Sequence, residues 1–168
     1  DYFMLKKLSN SFAYNIKTEN IYFTNVVAAY NDVREGSLYF MTNMPAWIKS
    51  GNNPTDVIEK IYKKGAKLIV IDKKEYLNKC SAPVLVVDDV LTFMKQASSF
   101  VRNIINPKRV LITGTVGKTG FKFQLNHLVC KQLKSHIRQD SGNMEVSICT
   151  SILSLRQTDE VEITEVAV

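Results

Sequence analysis

Apolar and polar residues follow two rhythms along this chain. The first part has a short rhythm. NIYFTNVV (Asn20 to Val27) and GSLYFM (Gly36 to Met41) are rich in β-branched and aromatic residues and predict strands. NDVREG, between them, is rich in turn residues. The rhythm then lengthens. In NNPTDVIEKIYKKGA, residues Val57, Ile58, Ile61 and Tyr62 share a helical face. Asn53 is placed to cap that helix, Pro54 suits its first turn, and Gly65 is placed to stop it. KLIVID (Lys67 to Asp72) and APVLVVDD (Ala82 to Asp89) read as buried strands. VLTFMKQASSFVRNII follows as a helix expected to bury Leu91, Met94, Phe100, Val101, Ile104 and Ile105. Asp88 and Asp89 immediately precede it, where a carboxylate accepts from the free amides of a first turn. Capping is therefore preferred to a catalytic pair.

NPKR (Asn106 to Arg109) marks an expected boundary. Beyond it, the apolar strand VLITG runs into GTVGKTG, Gly114 to Gly120. KTGFKFQLNHLVCKQL reads as a helix with Phe121, Leu125, Leu128, Val129 and Leu133 on one stripe. NMEVSICTSILSL reads as a second helix and VEITEVAV as a second strand. The fold class is therefore α/β. A small N-terminal α/β domain, 1–106, is followed by the beginning of a parallel-sheet P-loop-type ATPase domain, 107–168.

The commonest phosphate loop places its first glycine further ahead of the Gly-Lys pair. Here Ile112 holds that position and the first glycine is Gly114. The context still favours a phosphate cradle, because the loop leaves a buried strand and opens a helix. Backbone N–H groups and the helix dipole converge there on an anion. Gly114 and Gly117 permit close backbone approach, with Thr115, Val116 and Gly120 completing the loop. Lys118, expected to be exposed at the helix start, can neutralise β/γ-phosphate charge, and Thr119 can ligate Mg²⁺.

Composition narrows the remaining choices. With 168 residues, 45% of them apolar, the chain can form one ordinary domain, or a small one plus part of another. The net charge of +6 admits anionic small molecules or nucleic acid as partners. The lysines are dispersed in pairs, without a basic stripe, an aromatic binding motif or a recognition helix, so nucleic acid ranks last. Three cysteines, an odd number without CxxC, point to reduced thiols in the cytoplasm. With His127 and His136 the only histidines, a zinc site or a Ser-His-Asp triad has little to draw on. No apolar run reaches the length of a membrane span.

ITGTVGKTG resembles the short ATP loop of the Mur ligases, the ATP-dependent amino-acid-adding enzymes of peptidoglycan synthesis. NDVREGSLYF, VIEKIYKKGAKLIVIDK and APVLVVDDVLTFMKQASSFVRN are similar, in that order, to the N-terminal domain of the two later ligases. Those two add the third amino acid and D-alanyl-D-alanine. SGNMEVSICTSILSL is similar to the segment after the first helix of the family's central ATPase domain. EVAV looks like the following strand end, where the family carries a magnesium-binding glutamate, here Glu165.

The resemblance implies an ATP-dependent amide ligase in the cytoplasm. A substrate carboxylate would take the γ-phosphoryl group from MgATP to give an acyl phosphate, and an amine would then displace phosphate. Lys118 would be the catalytic lysine, and Thr119 and Glu165 would hold Mg²⁺. Tyr30 and Asn31 stand near the place of the family's Ser-Arg pair, which holds a UDP-sugar peptide. Asn143 and Glu145 match the family's asparagine-rich turn, and these four are the candidate substrate residues. Gly120 stands where the family has a hydroxyl residue, and Met144 also departs from its pattern. A non-catalytic nucleotide- or nucleotide-sugar-binding module stays open as the second reading.

Overall fold

The computed structural model describes residues 13–14, 22–42, 44–138, 142 and 144–166. The chain divides into two compact units, Asp1–Ala97 and Ser98–Val168.

The first unit is built on a five-stranded sheet of order β1-β5-β4-β3-β2. The strands are β1 (Ala13–Tyr14), β2 (Asn25–Val27), β3 (Ser37–Phe40), β4 (Ala66–Ile71) and β5 (Val84–Val86). β2 to β5 run parallel, and β1 adds to β5 antiparallel. Every residue of β3 and β5 is buried, and in β4 only Lys67 is exposed. That is the reason for the near-continuous apolar runs in their sequences, since helices cover both faces of a parallel sheet. On one face Tyr39, Met41, Ile69, Ile71, Val84 and Val86 cluster with Val57, Ile58 and Ile61 of helix α2 (Pro54–Lys63). On the other, the Phe40 ring lies 6.2 Å from that of Phe93 in α3 (Val90–Ile104).

The caps fall where the sequence places them. The Asn53 side chain accepts from the Thr55 N–H at 3.2 Å, with Pro54 next. Asp89 accepts from the Thr92 N–H at 2.6 Å, and the Thr92 hydrogen bonds hold its carboxyl below the usual carboxylate range. Gly65 follows the end of α2 with φ of 120°, and a Cβ there would come within 2.7 Å of the Glu35 backbone nitrogen.

Several expectations are corrected. Of the strand expected over Asn20 to Val27, only Asn25–Val27 is β; Asn20 and Ile21 lie outside the described residues. Thr24 instead bonds the turn, donating through N to Gly36 O at 3.0 Å and through its hydroxyl to Glu35 O at 2.8 Å. Helix α1 (Met44–Lys49) was not anticipated, being only six residues long. In α3 the buried positions are Val90, Phe93, Met94, Ala97 and Ser98, whereas Ile104 is exposed and Leu91, Phe100, Val101 and Ile105 are half-buried.

The second unit holds a three-stranded parallel sheet of order β6-β8-β7: β6 (Lys108–Ile112), β7 (Ser135–Ile137) and β8 (Val161–Glu165). Helix α4 (Lys118–Val129) joins β6 to β7, and α5 (Glu145–Leu153) lies between β7 and β8. β7 was not anticipated, because SHI is short and only its isoleucine is apolar. It pairs with β8 from Ser135↔Val161 to Ile137↔Ile163. Ile112, Val161 and Ile163 form the core under Leu125 and Val129 of α4. The expected stripe on α4 is rotated. Phe121 and Leu128 are exposed, and Lys122 faces inward in their place.

Candidate functional site

β6 ends at Ile112, and the chain reaches α4 through a tight glycine turn. Gly114 has φ of 138° and Gly117 has φ of 81°, values that favour glycine. Gly117 is the N-cap residue of α4, and no side chain caps the helix. The first-turn amides therefore point at the loop without a side-chain acceptor, the arrangement that receives an anion at a helix start. Thr115 and Val116 are exposed at the tip. Lys118 is half-buried, not exposed as expected. Its Nζ folds back and donates to the Gly114 carbonyl, so the ammonium already lies across the loop. Gly120 sits in the first turn, where an added Cβ would meet nothing within 4 Å. Neither φ nor space demands a glycine there.

The neighbouring strand supplies the acid. β8 pairs with β6 in the register Ile112↔Glu165, so Glu165 ends level with the start of the loop. Residues alternate along a strand, so Val161, Ile163 and Glu165 share the face that α4 covers. The Thr119 hydroxyl donates to Glu165 Oε2 at 3.0 Å. Lys122 Nζ lies 2.7 Å from Glu165 Oε1, and both side chains are 2% exposed.

Thr119 and Glu165 thus present two hard oxygens at 3.0 Å. An octahedral Mg²⁺ with ligands at about 2.1 Å spaces adjacent oxygens at about 3.0 Å. The described residues contain no group of three or more His, Cys, Asp or Glu side chains able to cage a metal alone. One carboxylate, one hydroxyl and substrate phosphates are the donor set that suits Mg²⁺. The donor set fits, but the carboxylate is already paired with Lys122. Sequence reasoning missed Lys122. It lies one turn beyond Lys118, and nothing in its local spacing points to its partner on β8.

The other candidate residues are spread more widely. Glu145 opens α5 in the same unit and is exposed. Asn143 lies outside the described residues. Tyr30 and Asn31 belong to the first unit, in a 3-10 turn after β2. There Lys64 donates to the Tyr30 carbonyl at 2.6 Å and the Asn31 carbonyl at 3.2 Å. The same ammonium stands 4.3 Å from the Tyr30 ring centroid, whose other neighbour is Trp47, edge-on at 6.3 Å.

A serine, a histidine and an aspartate do meet in the second unit, against the expectation from histidine scarcity. Ser151 Oγ is 3.3 Å from His136 Nε2, and His136 Nδ1 is 3.7 Å from Asp159 Oδ2. Ser151 is buried in α5, so its hydroxyl meets no substrate, and the line ties β7 to α5. Burial lowers the His136 pKa, opposed by Asp159 and Glu162 and assisted by Arg156. Cys80, Cys130 and Cys149 are free thiols. No helix among the described residues is long and apolar enough to cross a membrane.

No family model matches the chain. Its fold is found in MurF from Acinetobacter baumannii, with a TM-score of 0.73 at 14% identity over 98% of this chain and 35% of that one. A structure of the UDP-N-acetylmuramoylalanyl-D-glutamyl-2,6-diaminopimelate–D-alanyl-D-alanyl ligase from the same organism matches with the same TM-score, identity and coverage. MurF ligase from Thermotoga maritima, in complex with ADP, gives 0.60 at 21% identity over 89% of this chain and 33% of that one. The likeness is one of fold, an α/β unit followed by a parallel sheet, and it spans only about a third of those proteins (35% and 33%).

Proposed function

We propose that this chain is the front of an ATP-dependent amide ligase of Mur type, working on a carboxylate precursor of the cell envelope in the cytoplasm. Residues 1–106 would form the domain that holds the carboxylate substrate, a UDP-sugar peptide in the family, and 107–168 would begin the ATPase domain. The observation that carries this reading is the β6–α4 turn. An uncapped helix start, Lys118 across the loop, and Thr119 against Glu165 gather the parts that phosphoryl transfer requires. The ADP in the T. maritima MurF ligase supports the choice of nucleotide.

In this reading the backbone of Gly114 to Gly120 cradles the phosphates. Lys118 leaves the Gly114 carbonyl for the transferring phosphoryl group. Thr119 and Glu165 would hold Mg²⁺, which would supply positive charge to the phosphates. Such a site works by positioning and electrostatic stabilisation rather than through a nucleophile. Glu145 from α5, with Asn143, would contribute to the substrate side, and Tyr30 and Asn31 would face the nucleotide-sugar.

The test is ADP release from ATP by the intact protein carrying this chain, with a panel of carboxylates and amines. Release that requires both, and that Lys118→Ala abolishes, is the expected result. Release unchanged in Lys118→Ala would remove the loop from the mechanism. One observation favours the second reading, a binding module without turnover: the Lys122 ammonium already neutralises Glu165. Nucleotide binding lost in Lys118→Ala, with no amine-dependent ADP release under any condition, would establish that reading instead.

A further inference from the structure

Lys122 lies on the face of α4 that covers the sheet, in register with Leu125 and Val129, and is 1% exposed. An ammonium at that depth is costly unless paired. Its partner, Glu165, is the carboxylate on which a metal would sit. We propose that Lys122 is a tethered cation that holds the place of a divalent metal on Glu165, so that lysine and metal compete for one carboxylate. This rests on the reading of the loop as a MgATP site.

The geometry sets the competition. Glu165 offers Oε2 to Thr119 and Oε1 to Lys122. A divalent ion on Thr119 and Oε2 would stand beside the ammonium on Oε1, and two cations so close on one buried carboxylate repel strongly. The metal can enter only as the ammonium leaves. In the same position the ammonium also faces an aromatic ring. Lys122 Nζ is 5.1 Å from the centroid of the Phe123 ring, and Phe123 is 37% exposed. A rotation of the long side chain past that exposed ring toward solvent would take the charge off Glu165. Conversely, the fold is never left with an unpaired buried carboxylate when metal is absent. Metal alone should therefore bind this site weakly and gain its hold when phosphates arrive with it.

Mn²⁺ without nucleotide is the probe, followed by electron paramagnetic resonance, with thermal melting of the same samples. Lys122→Met should bind Mn²⁺ about tenfold or more tightly than wild type, because the competing charge is gone. Its melting temperature should rise on adding Mn²⁺ while that of wild type barely moves. Lys122→Arg, which keeps the cation, should behave as wild type. Adding Glu165→Gln to Lys122→Met should remove the gain. Mn²⁺ binding no tighter in Lys122→Met than in wild type overturns the proposal. So does a Lys122→Met chain that stays unfolded with Mn²⁺ present, since the metal would then be unable to take the lysine's place. Adding Lys118→Ala to Lys122→Met separates the two readings. Equal ADP affinity with and without Lys118 would sink the phosphate reading, while the Mn²⁺ result stands on its own.

Discussion

The two units bury different chemistry beneath parallel sheets. Among the described residues of the first, no charged side chain is buried, and the sheet is sealed by Tyr39, Phe40, Ile69, Ile71 and Leu85. In the second, Lys122, Thr150, Ser151, Glu162, Thr164 and Glu165 are all buried. Glu162 meets the exposed Arg109 at 3.4 Å, and Glu165 meets Lys122. An apolar core gains from every buried methylene, whereas buried charges must first recover their desolvation and recover it only when paired. The first sheet is organised for stability and the second for placing charge at the end of its central strand.

The largest expected effect attacks the charged core. Glu165→Ala leaves the Lys122 ammonium buried without its carboxylate and should cost about 3–5 kcal/mol. Amide exchange should accelerate along α4 and β8 while β3 and β4 keep their protection. Equal loss of protection in both units would break the contrast. Ile69→Ala is the counterpart in the apolar core. It removes buried methyls from the cluster under α2 and should cost about 2–5 kcal/mol, read by denaturant unfolding, without altering metal or nucleotide binding.

A smaller effect is expected from pH. The folded His136 pKa lies below the ordinary value of 6.5, chiefly through burial. The unfolded chain therefore takes up a proton that the folded chain resists. Stability of the second unit should decline as pH falls below 6.5 and level off once folded His136 itself titrates. His136→Gln should flatten that decline, as followed by exchange in β7 and α5; an unchanged slope would remove His136 from the account. The smallest effect is expected at Gly120. The site is open and φ is ordinary, so Gly120→Ala should stabilise α4 by up to about 1 kcal/mol in thermal melting.

The first unit was the more legible in sequence, and the reason is physical. A strand buried on both faces writes itself as LIVI, and a cap such as Asn53 or Asp89 announces the helix it begins. The second unit obeyed its glycines. The turn from β6 to α4 could be read from GTVGKTG, whereas the part of Glu165 rested on the resemblance of EVAV to a family strand end alone. The stripe on α4 could not. Its buried face includes a lysine, so a rule that sends apolar residues inward turned the helix to Phe121 and Leu128. Lys122 is understandable only once Glu165 is known to end beneath it. That pairing links residues far apart in sequence, and local periodicity carries no trace of it. β7 was hidden for a similar reason. His136 and Ser135 give it a polar look, yet both are half-buried, His136 against Ser151 and Ser135 against Asn126.

The strand order β6-β8-β7 also determines when the second unit can take shape. β6 and β7 leave the ribosome before β8, and neither pairs with the other. Until β8 arrives they have no ladder to join, and α4 has no floor to lie on. The closing step must bring Ile112 level with Glu165 across the whole intervening chain, a contact of long sequence separation and hence slow to form. When β8 slides between its neighbours it joins them in one ladder and brings the Glu165 carboxylate to the loop in the same motion. The Thr119 hydroxyl and the Glu165 carboxylate it meets are therefore brought together only when β8 takes its place.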